Sequence, residues 1–141
     1  MHYLTIRHFY TLLLLAANAI KDCRQQKILF FWTTASIFSG ILFTAASSDF
    51  SLSYLGGFSI GGAIFAFSLL AKDAIGGGDA LILTAMSAFL PWEDVLAALT
   101  IGLLLSSLYA LFLIVVRHQG KKAAMPFIPF LLGGYILTLA L

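Results

Sequence analysis

The chain has 141 residues, of which 61% are hydrophobic and only 10% charged. A soluble domain carries about a quarter charged residues, and one this short could not hide so much apolar surface, which makes lipid the expected solvent. The net charge of +2 gives no indication of a nucleic-acid partner, and a single cysteine, Cys23, excludes an internal disulfide or a multi-cysteine metal site.

Six apolar segments are predicted, at residues 4–20, 28–46, 52–70, 80–90, 95–116 and 126–141. Residues 10–20 could pass for the core of a signal peptide. Lys21, Asp22 and Arg24 follow where small residues should mark cleavage, so the stretch reads as a first span. Crossing the hydrocarbon takes roughly 20 helical residues. The second, third and fifth segments reach that length, and the first and sixth are marginal. The fourth is too short alone, so it must borrow flanking residues or sit inside the bundle. None of the segments alternates in polarity as a barrel strand must. Backbone groups in lipid have to be satisfied within each segment, which predicts an all-α polytopic bundle of about six transmembrane helices. There is no internal repeat or linker, so residues 1–141 read as a single domain.

Lys21, Arg24 and Lys27 lie between segments one and two, Lys72 between three and four, and Arg117, Lys121 and Lys122 between five and six. The acids Asp49, Glu93 and Asp94 occupy the opposite loops. The excess of basic residues places the first set in the cytoplasm and both termini outside, with Arg7 the one dissenter. Asp22, Asp73 and Asp79 then share the cytoplasmic face.

Asp22 follows the first apolar segment, and Asp79 opens the fourth, directly after Gly76-Gly77-Gly78. An acid at the membrane boundary is costly to desolvate and such residues tend to be functional. Asp79 could equally be a helix N-cap, and the two roles are compatible. Two neighbouring carboxyls cannot both ionise easily and share a proton. The ionised one can draw a proton from water while the neutral one donates to a leaving amine, which is peptide hydrolysis without metal or covalent intermediate. The glycines would allow a sharp turn and close approach of an extended substrate. An acid rather than Lys follows them, so a phosphate-binding loop is not indicated.

Gly76-Gly77-Gly78-Asp79 resembles the Gly-x-Gly-Asp signature of membrane aspartic peptidases, and Ala80-Leu81-Ile82-Leu83-Thr84-Ala85-Met86 continues in the style of type IV prepilin peptidases and their preflagellin relatives. Lys21-Asp22-Cys23-Arg24-Gln25-Gln26-Lys27-Ile28 is similar to that family's first catalytic motif. Met125-Pro126-Phe127-Ile128-Pro129-Phe130 is similar to the opening of its last helix. The three matches fall in family order. Leu29 stands where the family usually has proline, and Leu81 where it usually has lysine. The resemblance implies a catalytic pair, Asp22 and Asp79. Gly76, Gly77, Gly78, Arg24, Lys27, Pro126 and Pro129 would shape the loops or meet substrate. It implies no metal and no cofactor. The partners would be a prepilin- or pseudopilin-like precursor and the lipid bilayer. A homo-oligomer is compatible with the sequence, which sets no oligomeric state. Larger members add a domain with paired cysteines and methylate the trimmed product. This chain has neither, so peptidase activity without methylation is expected.

Other motifs weigh less. Gly57-Phe58-Ser59-Ile60-Gly61 matches a nucleophile elbow but lies within an apolar helix, where a small-xxx-small packing face is the better reading. His2, His8 and His118 lack ligand spacing. Phe30, Phe31, Trp32 and Trp92 read as interfacial anchors. Asp73 competes with Asp79 but reads as a solvated loop acid, and Cys23 has no histidine near it in sequence. The alternative function is a non-enzymatic membrane component, either a small transporter subunit or an inactive scaffold. A transporter is expected to carry polar groups near the midplane, where this chain holds mainly Ser, Thr and Gly.

Overall fold

The computed structural model describes residues 2–25, 28–47, 51–71, 76–118 and 125–141. Among these residues the chain forms six helices and no strand: α1 (His2–Gln25), α2 (Phe30–Ala46), α3 (Leu52–Leu70), α4 (Gly77–Phe89), α5 (Trp92–Arg117) and α6 (Ile128–Ala140). The expected order holds and several ends move. α1 continues past Ile20 to Gln25, so Asp22 lies within its last turns rather than after it. α4 starts at Gly77 rather than Ala80. An apolar run marks what can meet lipid, whereas a helix continues until its backbone bonds stop, and polar residues at its end can extend it into the headgroups.

α3 and α5 are long and apolar enough to cross a membrane. At 1.5 Å per residue they extend about 28 and about 39 Å, against about 30 Å of hydrocarbon. Only 17% of the apolar window of each is buried inside the bundle, so neither is the core helix of a soluble protein. Leu103, Leu104, Leu108, Leu111 and Val115 all point outward from α5. Such a surface is stable facing acyl chains and would be an aggregation site in water.

α4 is the reverse case. Every residue from Ala80 to Phe89 is buried. The helix is enclosed by α1, α2, α3 and α5, with α6 packed on α5 and α1. Of the two options open to a segment this short, the structure takes the interior. Ile82, Met86, Phe89 and Leu90 join Leu15, Val95, Ile128, Leu131 and Tyr135 in the hydrophobic core.

Small residues let the backbones come this close. A Cβ built on Gly57 would lie 2.5 Å from the Leu90 carbonyl oxygen, and one on Gly61 would collide with the Ser87 side chain. Thr84 Oγ1 donates to the Gly61 carbonyl at 3.0 Å. The Gly57/Gly61 pair is thus a packing face, as expected. Ser59 sits exposed within α3, donating to the Leu55 carbonyl, and forms no nucleophile elbow. The antiparallel α5–α6 pair uses Gly102 and Gly134 in the same way. A Cβ on Gly134 would lie 2.6 Å from both Ala98 O and Gly102 N. These are backbone atoms that cannot rotate aside. Gly134→Ala should therefore destabilise the protein by about 2 kcal/mol, the typical cost of overpacking. Gly133→Ala is the control, because its Cβ would make an ordinary 3.5 Å contact with Leu105. Thermal unfolding of both in detergent checks this; equal melting temperatures would mean that α6 is not held against α5 as described.

Candidate active site

Asp22 is supplied by the end of α1 and Asp79 by the first turn of α4, both just beyond the apolar segments and at the same end of the bundle. Asp22 is 7% exposed and its Oδ2 accepts the backbone N–H of Ile128 at 3.2 Å. That N–H is the natural donor at the head of α6. Phe130 and Leu131 both bond back to the Phe127 carbonyl, and Pro129 has no N–H to give. The proline-rich opening of α6 therefore leaves one amide free to meet a carboxylate. Pro126, half-buried, lies two residues before it in the non-helical lead-in.

Asp79 is half-buried. It is the third helical residue of α4, whose N-cap is Gly76, and no side chain caps that end. The N-cap reading of Asp79 is thus corrected: the helix begins three residues earlier than the apolar run suggests, because Gly77, Gly78 and Asp79 are themselves helical. For the same reason the glycines make no sharp turn. No glycine among the described residues has positive φ, and Gly76 sits at φ −59°. What they supply is room. A Cβ on Gly76 would lie 3.4 Å from Asp79 Oδ2, and one on Gly78 would lie 3.4 Å from Ile28 Cγ2, while Gly77 faces open space.

Burial pushes the Asp79 carboxyl up to about 6, and the negative charge of nearby Asp22 adds to the effect. Burial also raises Asp22, opposed by the Ile128 N–H, which favours its charged form. The charge of Asp22 thus reaches Asp79, and Asp22 carries the amide bond from Ile128. Beside Asp79 opens a cavity of about 410 Å³ lined by Gly76, Ile64, Leu83, Leu99, Leu103 and Phe127. Among the described residues Asp79 is its only ionisable lining residue. An apolar chain could lie there with its backbone against the carboxyl.

The other expected residues are placed less centrally. Arg24 is exposed and borders a shallow recess with Cys23, Ile20 and Leu132 on the outer face of α1. Lys27 and Asp73 lie outside the described residues. His8 bonds through Nδ1 to the Tyr135 hydroxyl at 2.6 Å, and His118, exposed, ends α5 in a left-handed conformation. Sequence reasoning did not single out Ile128, Phe127 or Ile28 as neighbours of the acids. It also passed over Asn18, one helical turn before Asp22 and fully buried. A polar amide within an apolar span was the available signal, since such groups face the bundle interior.

No curated protein and no solved structure matches this chain significantly. Among family models, that of the type IV leader peptidase family matches residues 9–115, a stretch that contains both Asp22 and Asp79. That is well over half of the 141 residues, and with the all-helical bundle and the two lipid-length helices it makes the chain a membrane protein that belongs to the type IV leader peptidase family.

Proposed function

We propose that the chain is a membrane aspartic endopeptidase that removes the leader of prepilin-like precursors at the cytoplasmic face. The observation that carries this reading is the gathering of Asp22 and Asp79 at one end of the bundle beside an apolar cavity. Asp22, bonded to the Ile128 amide, is the ionised partner and draws a proton from water. Asp79, in the less polar setting, holds the shared proton and donates it to the leaving amine. Attack of that water on the scissile carbonyl, followed by loss of the amine, completes hydrolysis. The helices run as six spans with both termini outside. Lys21 and Arg24, with Lys27, Lys72, Arg117, Lys121 and Lys122, mark the cytoplasmic side. No methylation of the product accompanies cleavage.

Membranes containing the protein, mixed with a panel of prepilin-type precursors, should yield a trimmed product whose new N-terminus is read by sequencing. Cleavage should persist in strong chelators and in serine- and thiol-directed inhibitors, and in Cys23→Ser and Ser59→Ala. Loss of activity in EDTA, restored by zinc, counts against a carboxyl pair. The orientation is checked with Ser48→Cys and Glu93→Cys in a Cys23→Ser background. Both should react with an impermeant thiol reagent added outside intact cells. Labelling only after lysis would reverse the topology.

A further inference from the structure

Asn18 is a buried polar residue that the carboxyl chemistry does not use, and both its nitrogen and its oxygen are hydrogen-bonded. Its Nδ2 donates to the Leu14 carbonyl at 2.9 Å, within α1. Its Oδ1 accepts the backbone N–H of Leu29 at 2.9 Å and, at 3.5 Å, the Thr33 hydroxyl. One side chain thus ties α1 to the start of α2, directly below Asp22. Leu29 is the N-cap residue of α2 and Ile28 lies against Gly78, the residue before Asp79. A chain of contacts therefore runs from Asn18 through Leu29 and Ile28 to the first turn of α4. The same side chain is rigid with respect to Asp22, four residues on.

We propose that Asn18 is a positioning residue: by holding the Leu29 amide it sets the α1–α2 connection against α4 and so fixes Asp79 relative to Asp22. This rests on the carboxyl-pair reading. The Leu29 backbone supplies an independent check. Its φ of −78° is one that proline adopts, and a proline there would have no N–H to satisfy. Asn18 does with a hydrogen bond what a proline ring at position 29 does covalently. Removing the amide leaves the half-buried Leu29 N–H without its acceptor and the connection free to shift. A displacement near 1 Å at a reacting group costs on the order of a hundredfold in rate, so a partial shift should cost about tenfold.

The test uses Asn18→Ala, Leu29→Pro and the double variant, in the intact protein purified in detergent. The substrate is the first precursor of the panel that the wild type trims. Asn18→Ala should lower kcat about tenfold with KM within about twofold, because substrate contacts are untouched. Amide exchange in the 28–33 segment, measured by deuterium uptake, should quicken about tenfold. The double variant should recover kcat to within about threefold of wild type, and it should outperform Leu29→Pro alone, which crowds Asn18 Oδ1 and removes its donor. Asn18→Ala with unchanged kcat and unchanged exchange overturns the proposal. So does a double variant no better than Asn18→Ala, since the lost bond would then not be the one to Leu29. Asp22→Asn in the same assay separates the two readings: if it cleaves normally the carboxyl pair is wrong, whereas the exchange result still decides whether Asn18 holds the connection.

Discussion

Asp22→Asn and Asp79→Asn should each abolish precursor processing, with a loss of at least about a hundredfold, the range associated with removing a general acid or base. Asparagine keeps the size of the side chain and can still accept the Ile128 N–H, so the head of α6 stays in place. It can neither take a proton from water nor share one. Both variants must reach wild-type levels in the membrane before cleavage is compared on a gel. Asp73→Asn should retain most activity. The same assignment fixes the sign of the pH dependence. Asp79 must hold its proton to act as the acid, and burial beside Asp22 raises its carboxyl to about 6. Activity should therefore decline as pH rises through that region. It should also decline at low pH, where Asp22 becomes neutral and no base remains. Normal cleavage by either Asn variant would dissolve the pair. If Asp73→Asn alone were inactive, the second acid would have been misassigned. If none of the three mattered while the pathway still ran, the scaffold role would replace the enzyme.

Arg7→Ala should cost stability on the order of 3 kcal/mol, judged from several charge-assisted hydrogen bonds and ring contacts at a buried site. Arg7 is 1% exposed at the end of the bundle opposite the acids. Its guanidinium donates to Ser47 Oγ at 2.7 Å, to the Phe89 carbonyl at 3.2 Å and to Thr44 Oγ1 at 3.4 Å. It also lies 4.2 Å from the ring centre of Tyr54 and 5.2 Å from that of Phe43. Phe89 closes α4, where the last carbonyls lack helical partners and carry the negative end of the dipole. A planar cation with five donors suits several acceptors at once. Arg7→Lys, a single point charge, should recover only part of the loss. Thermal unfolding in detergent should show Arg7→Ala lowest, Arg7→Lys intermediate and wild type highest. An Arg7→Ala protein melting with the wild type would mean that the C-terminal end of α4 is held by packing alone. The contacts also account for the one basic residue on the wrong side of the charge asymmetry. The positive-inside rule concerns charges left in loops, and Arg7 is consumed within the bundle.

The number and kind of elements were legible in the sequence because lipid leaves the backbone so few choices. Six apolar runs without alternation can only be helices, and α3 kept its expected limits of Leu52 and Leu70. Gly57 and Gly61, four apart on an apolar helix, announced a close packing face for the same reason: only small side chains let two backbones approach. The positions of Asp22 and Asp79, at the end of α1 and the start of α4, were legible as two acids at the ends of apolar runs. Other features waited for the tertiary structure. A run of apolar residues does not distinguish facing lipid from facing protein, so nothing local said that α4 is enclosed while α5 is bare. Nor does it mark where hydrogen bonding begins, which is why Asp79 falls inside the first turn rather than at the cap. The partners of the key groups are far away along the chain. Asp22 meets the Ile128 amide across 106 residues and Arg7 meets the Phe89 carbonyl across 82. Backbone amides and carbonyls are the same at every position of the sequence; only folding decides which of them are left free at a helix end, and which side chain is brought there to use them.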